Sequence, residues 1–286
     1  MTILSEHAPK LVDTVCNLTD EKDRLIIPYL QSLVTNVMPY VRTHNLSTAS
    51  FYRSATNLLF NLSQYSYTKK TWKKEVLEQL FDTNFFQVDL VTLRQWKTII
   101  DRISTKDKPL SFRDLMTRIN AVQTGLFVSK DQEYEQRAML IKRLAFVIYS
   151  SEKDQFTRNL PDILGFISDL LKSSQIPIIN AQIFLLLRVL VLRISSKILS
   201  SFWPTFMSEL IQIFLQIEQD ILNNENENDT AKCNLQRLTM NELTSTTNTQ
   251  ATYKMYLYAC KLLDILLAMP YADIEYFQLY VFIFEF

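Results

Sequence analysis

An all-α fold follows from two features of this 286-residue sequence: glycine is almost absent, and apolar residues recur at three- and four-residue steps. Only Gly125 and Gly165 occur. Hairpins and bulges draw on glycine, whereas helix interiors disfavour it, so its scarcity excludes a sheet-rich chain. Hydrophobic residues make up 48% of the sequence, enough to build a substantial core.

The first helix is expected to place Ile26, Leu30, Leu33, Val37 and Val41 on one face, with Pro28 and Pro39 kinking or splitting it. Ser47 is the expected N-cap of a second helix through Phe51, Ala55, Leu58, Leu59 and Leu62. A third spans Lys69 to Phe81. A fourth begins after Asp89 and carries Val91, Trp96, Ile99, Ile100 and Ile103. Lys106-Asp107-Lys108-Pro109 reads as a turn. Ser111 then caps a helix through Leu115, Ile119 and Val122 that ends near Gly125.

The next helix runs from Asp131 to Ser151 with Met139, Leu140, Leu144, Val147 and Ile148 inward. Asn159-Leu160-Pro161-Asp162 opens another, by a cap with proline in the first turn. Pro177 starts a helix to Ile194 that is apolar around most of its circumference, and such a helix belongs between neighbours. One more covers Phe202 to Leu222. The composition then breaks at Asn223-Asn224-Glu225-Asn226-Glu227-Asn228-Asp229 and again in the Thr/Asn-rich tract Thr244 to Gln250. A long, low-complexity, disordered insertion is expected over residues 223–250, with room for a short helix near Leu235 to Leu243. Two closing helices, Thr252 to Met269 and Ile274 to Phe284, follow.

Helices joined by short connections recur in pairs with a period of roughly 40 residues, the period of HEAT and armadillo units. The predicted architecture is therefore an α-solenoid of antiparallel helix pairs. Residues 1–222 form the helical-repeat array, 223–250 the loop, and 251–286 the closing helices of the same array. A compact helical bundle is the competing arrangement.

Composition narrows the function. Thirty basic and thirty acidic residues cancel, so the basic excess of a nucleic-acid binder is lacking. Phosphate-cradling loops need several glycines together, which two glycines forty residues apart do not supply. Cys16, Cys233 and Cys260 show neither disulfide nor zinc spacing, and read as reduced cytoplasmic thiols. The N-terminus does not read as a signal peptide. The strongly apolar stretch Ile178 to Leu192 is too short, and too interrupted by Arg188, to span a bilayer, so any membrane association is expected to be peripheral.

His7 sits in the terminus, and His44 at a helix end where the dipole accounts for it. The acid pairs Glu133 with Glu135 and Glu225 with Glu227 lie in polar stretches and read as solvated. No enzyme, metal or cofactor is expected.

Three surfaces are candidates for contact. Lys69, Lys70, Lys73 and Lys74 share a helix face beside Trp72. This face could meet an acidic lipid headgroup or protein patch, against the simpler reading of a solvated face. A heptad-like ladder, Trp203, Met207, Leu210, Phe214, Ile217 and Ile221, recurs at Tyr256, Cys260, Leu263 and Leu267. It offers a self-association seam or, as the favoured reading, internal packing. The preferred contact surface is the aromatic C-terminal segment, with Tyr276, Phe277, Tyr280, Phe282, Phe284 and Phe286.

Several segments carry a family resemblance. They are Trp72-Lys73-Lys74 followed by Asn84-Phe85-Phe86, and Ser111-Phe112-Arg113-Asp114-Leu115-Met116. Arg158-Asn159-Leu160-Pro161-Asp162-Ile163-Leu164 and Pro177-Ile178-Ile179-Asn180-Ala181-Gln182-Ile183-Phe184, with its continuation Leu187-Arg188-Val189-Leu190, belong with them. So do Trp203-Pro204-Thr205, Ala259-Cys260-Lys261-Leu262-Leu263-Asp264 and Phe277-Gln278-Leu279-Tyr280. In order and spacing, from about residue 40 onward, the chain resembles the C-terminal region of the Dopey family. The resemblance implies part of a very large cytoplasmic protein, peripheral on Golgi and endosomal membranes and acting in endosome-to-Golgi traffic. It implies as partners a large relative of the Arf exchange factors and an aminophospholipid-flippase system, and in animals a link to kinesin cargo attachment. Leucine-zipper-like C-terminal segments are a feature of that family. The 223–250 tract departs from its pattern, and roles of the family's N-terminal domain are not expected here.

Overall fold

A computed structural model describes residues 7, 22–42, 48–103, 115–118, 129–173, 176–230 and 241–269. All regular structure among the described residues is helical, with no strand. The chain divides into two units, Met1–Thr117 and Arg118–Phe286.

In the first unit, α1 (Lys22–Arg42) runs unbroken through Pro28 and Pro39. Both prolines are exposed, where water can serve the carbonyls they leave unbonded. Its buried stripe is Leu30, Val34, Val37, Met38 and Val41, while Leu33 is half-buried. Helix α2 (Ala49–Leu62) buries Tyr52, Ala55, Leu58, Leu59 and Leu62. Thr48 occupies its N-cap position without a side-chain cap bond, and Ser47 lies outside the described residues.

Helix α3 (Lys69–Leu80) and helix α4 (Leu90–Ile103) follow. Asp89 caps α4, accepting from the Thr92 N–H at 3.0 Å, the Thr92 hydroxyl at 2.8 Å and Arg53 Nε at 2.9 Å. Burial works to raise its carboxyl, but these donors outweigh burial and hold it at about 2. The core centres on Trp96, whose Nε1 donates to the Tyr52 hydroxyl at 2.8 Å and whose ring meets Phe85 edge-on. Helix α1 packs on α2 and α3, and α2 on α4. Arg42 pairs with Glu75 and Glu78, tying α1 to α3.

In the second unit, Ser129 caps α5 (Lys130–Ser150) by accepting from the Gln132 N–H at 3.3 Å. Helix α6 (Leu160–Ser173) inserts Leu160, Ile163, Leu164, Ile167 and Leu170. Helix α7 (Pro177–Arg193) has proline at its start and buries side chains all round, from Ile179 to Val191. The reason is plain in its neighbours, since α7 packs on both α5 and the last described helix, α10 (Asn241–Ala268). Between them lie the short α8 (Ser196–Leu199) and α9 (Trp203–Thr230).

Two details of this unit differ from expectation. Helix α9 continues through Thr230 and α10 begins at Asn241, so both helices enter the tract expected to be an insertion loop. The polar residues there are compatible with an α-helix; low complexity reports on core-forming capacity more than on backbone state. Glu133, expected to be solvated, is buried and paired with Arg137 at 3.0 Å one turn on.

Candidate interaction surfaces

The four lysines of α3 do not act alike. Lys69 Nζ donates to the carbonyls of Arg102 at 2.8 Å and Ile103 at 3.1 Å, acceptors in the last turn of α4. Burial and then the neighbouring charge of Lys73 lower its pKa. Lys73 is half-buried, and Lys70 and Lys74 are exposed one turn apart. Arg102 closes the same corner, donating to Ser63 Oγ at 2.7 Å and to the Phe60 carbonyl at 3.3 Å. One lysine of the expected patch thus serves the fold.

The ladder on α9 splits in the same way. Trp203, Met207 and Leu210 are buried, with Trp203 meeting Phe206 edge-on, so this half of the expected seam is core and is not available to a partner. Phe214 and Ile217 are half-buried, and Ile221 is exposed. On α10 the buried stripe is Met255, Ala259, Leu262 and Leu266. The expected series Tyr256, Cys260, Leu263 and Leu267 lies one residue further on, rotated by roughly 100°. Cys260 and Leu267 are accordingly exposed, and Tyr256 and Leu263 half-buried. Two apolar series overlap in this sequence, and α10 buries the other one.

The Tyr256 hydroxyl bonds Asp220 Oδ2 at 2.5 Å, joining α10 to α9. Burial, and then the Asp220 carboxylate, push the tyrosine pKa upward. Beside this bond in sequence stand exposed apolar side chains: Ile221 and Leu222 on α9, and Tyr253 and Leu257 on α10. Of these the sequence pattern singles out Ile221 alone, and it misses Leu222, Tyr253 and Leu257 because an exposed face carries no periodicity of its own.

Tyr276, Phe277, Tyr280, Phe282, Phe284 and Phe286 lie outside the described residues, as does His44. Among the described residues no group of three or more His, Cys, Asp or Glu could hold a metal. Among the described residues one stretch, Ser196–Leu222, is long and apolar enough to cross a membrane by length and composition, and a third of its most apolar 18-residue window is buried within the fold.

Comparison with known proteins covers the chain almost end to end. The family model described as DOP1 C-terminal matches residues 2–285. Protein DOP1 homolog of Drosophila melanogaster is 38% identical over 98% of this chain, which is 11% of that protein. Protein DOP1B of Mus musculus is 39% identical over 98% of the chain and 12% of its own length. Protein pad-1 of Caenorhabditis elegans is 34% identical over 97% of the chain and 11% of its own length. The chain thus spans about a ninth of the length of the curated relatives it matches. No solved structure matches. On this match the chain belongs to the DOP1 C-terminal family, the Dopey proteins.

Proposed function

We propose that this chain is a non-catalytic scaffold segment of a Dopey-like trafficking protein. It would serve endosome-to-Golgi traffic from the cytoplasmic side of Golgi and endosomal membranes. The observation that carries the scaffold reading is the packing order. Within the second unit, α7 meets α5 and α10 across intervening helices, and within the first, α1 meets α3 and α2 meets α4. Contact between a helix and the next-but-one, with the four-residue α8 left out of the count between α7 and α10, is what stacked helix pairs produce, and it supports an α-solenoid within each unit. Such an array offers surface and shape to partners.

By family kinship those partners are a large relative of the Arf exchange factors and a flippase system, with self-association as a further protein contact. In the full-length protein, Tyr253→Asp with Leu257→Asp changes only exposed positions of α10. The expected result is normal abundance with slowed endosome-to-Golgi recycling. Unchanged recycling, or turnover of a nucleotide or lipid by the purified chain, would overturn the reading.

A second reading, an acidic-lipid-binding module, is favoured by the exposure of Lys70 and Lys74 on one face. Flotation with anionic vesicles, lost on Lys70→Glu with Lys74→Glu, would support it, and equal flotation of this variant would remove it.

A further inference from the structure

From Ile198 to Ala231 the sequence contains no lysine, arginine or histidine. All of α9 falls inside this stretch. Glu218, on its outer side, is exposed. Leu215 and Leu222 are 53% and 52% exposed. With Glu218 between them they occupy positions i, i+3 and i+7, one face of the helix. The arrangement is apolar, acidic, apolar.

We propose that this outer face of α9 docks a basic amphipathic helix of a partner protein, with leucine-type side chains on Leu215 and Leu222 and lysine or arginine opposite Glu218. The proposal rests on the scaffold reading above and names one surface and one partner chemistry for it. Charge complementarity selects this occupant: an anionic membrane surface would be repelled by a helix with acids and no cation. Pairing of two copies of the same face would set acid against acid. A helix-in-groove partner satisfies both the apolar and the charged positions.

The test uses the full chain and a labelled 18-residue peptide of leucines at helical spacing with lysines on either side. Anisotropy should show saturable binding that weakens with salt. Leu215→Ser with Leu222→Ser, and separately Glu218→Lys, should each weaken it at least tenfold with unchanged circular dichroism and melting temperature. A peptide with glutamate in place of lysine should not bind. Equal binding of both peptides, or affinity unaffected by the substitutions, overturns the proposal. So does partition of the chain into vesicles that depends on Leu215 and Leu222, which would make the face a membrane contact. Failure here with recycling still sensitive to Tyr253→Asp and Leu257→Asp would leave the scaffold reading standing.

Discussion

Asp154 clasps Ser195 with both carboxylate oxygens, taking the backbone N–H at 2.6 Å and the hydroxyl at 2.5 Å. The Asp154 N–H in turn donates to the Arg193 carbonyl at 2.8 Å. The turn after α5 is thereby fastened to the junction after α7, with Asp154 and Ser195 41 residues apart in sequence. The Ser195 donors lower the Asp154 pKa, and the residue sits at φ 62°, in the left-handed region that aspartate and asparagine tolerate best after glycine.

Those two facts separate three substitutions. Asp154→Asn keeps the backbone preference and an acceptor, and should cost least. Asp154→Gly relieves the dihedral but loses both acceptors. Asp154→Ala loses the acceptors and pays for the dihedral, with a cost of about 2–4 kcal/mol. Urea midpoints in the order Asn, Gly, Ala would bear this out; equal midpoints for Asn and Ala would show that the clasp contributes nothing.

Tyr52 should report on the first unit through pH. Burial pushes its hydroxyl up to about 12 from a reference of 10.0. Folding thus favours the neutral form, so the contribution is complete below pH 10 and disappears as pH rises from 10 to 12. Tyr52→Phe removes that titration and leaves the buried Trp96 Nε1 without its acceptor, at a cost of about 1–3 kcal/mol. Melting curves at pH 8 should place the variant below the parent, with the gap closing above pH 10.

Gly165 is exposed in the middle of α6, and a Cβ built on it meets nothing within 4 Å. Its φ is not positive, so no backbone demand requires glycine. Gly165→Ala should therefore stabilise the chain by about 0.5–1 kcal/mol, measured by denaturant unfolding. A loss of stability would mean that this face is covered by something the substitution disturbs.

How far these elements could be read in advance depended on the range of the interaction. Lys69–Leu80 and Pro177–Arg193 begin where local signals put them, because caps, prolines and three-four spacing act within a turn or two. The all-round burial of α7 was equally legible, since an apolar circumference admits no other placement. The register of α10 was not. Met255 and Tyr256 both begin plausible apolar series, and only the contact with α7 decides between them. The Asp154–Ser195 clasp was invisible for the same reason: neither residue bears a local mark of a partner 41 positions away. Lys69 was read as surface charge, and its acceptors come from the end of another helix.

That last displacement yields a prediction which separates fold from surface on a single helix. Lys69→Met keeps most of the aliphatic stem but withdraws the donor from the Arg102 and Ile103 carbonyls. Its cost should be about 1 kcal/mol, the worth of a cation and its hydrogen bonds at a helix C-terminus. Lys70→Glu with Lys74→Glu alters exposed positions and should leave stability within about 0.5 kcal/mol of the parent. Any effect of Lys69→Met on binding to an acidic surface should then vanish once the assay is corrected for the folded fraction, whereas an effect of the double reversal should persist. The opposite pattern would return Lys69 to the surface and require another cap for the end of α4.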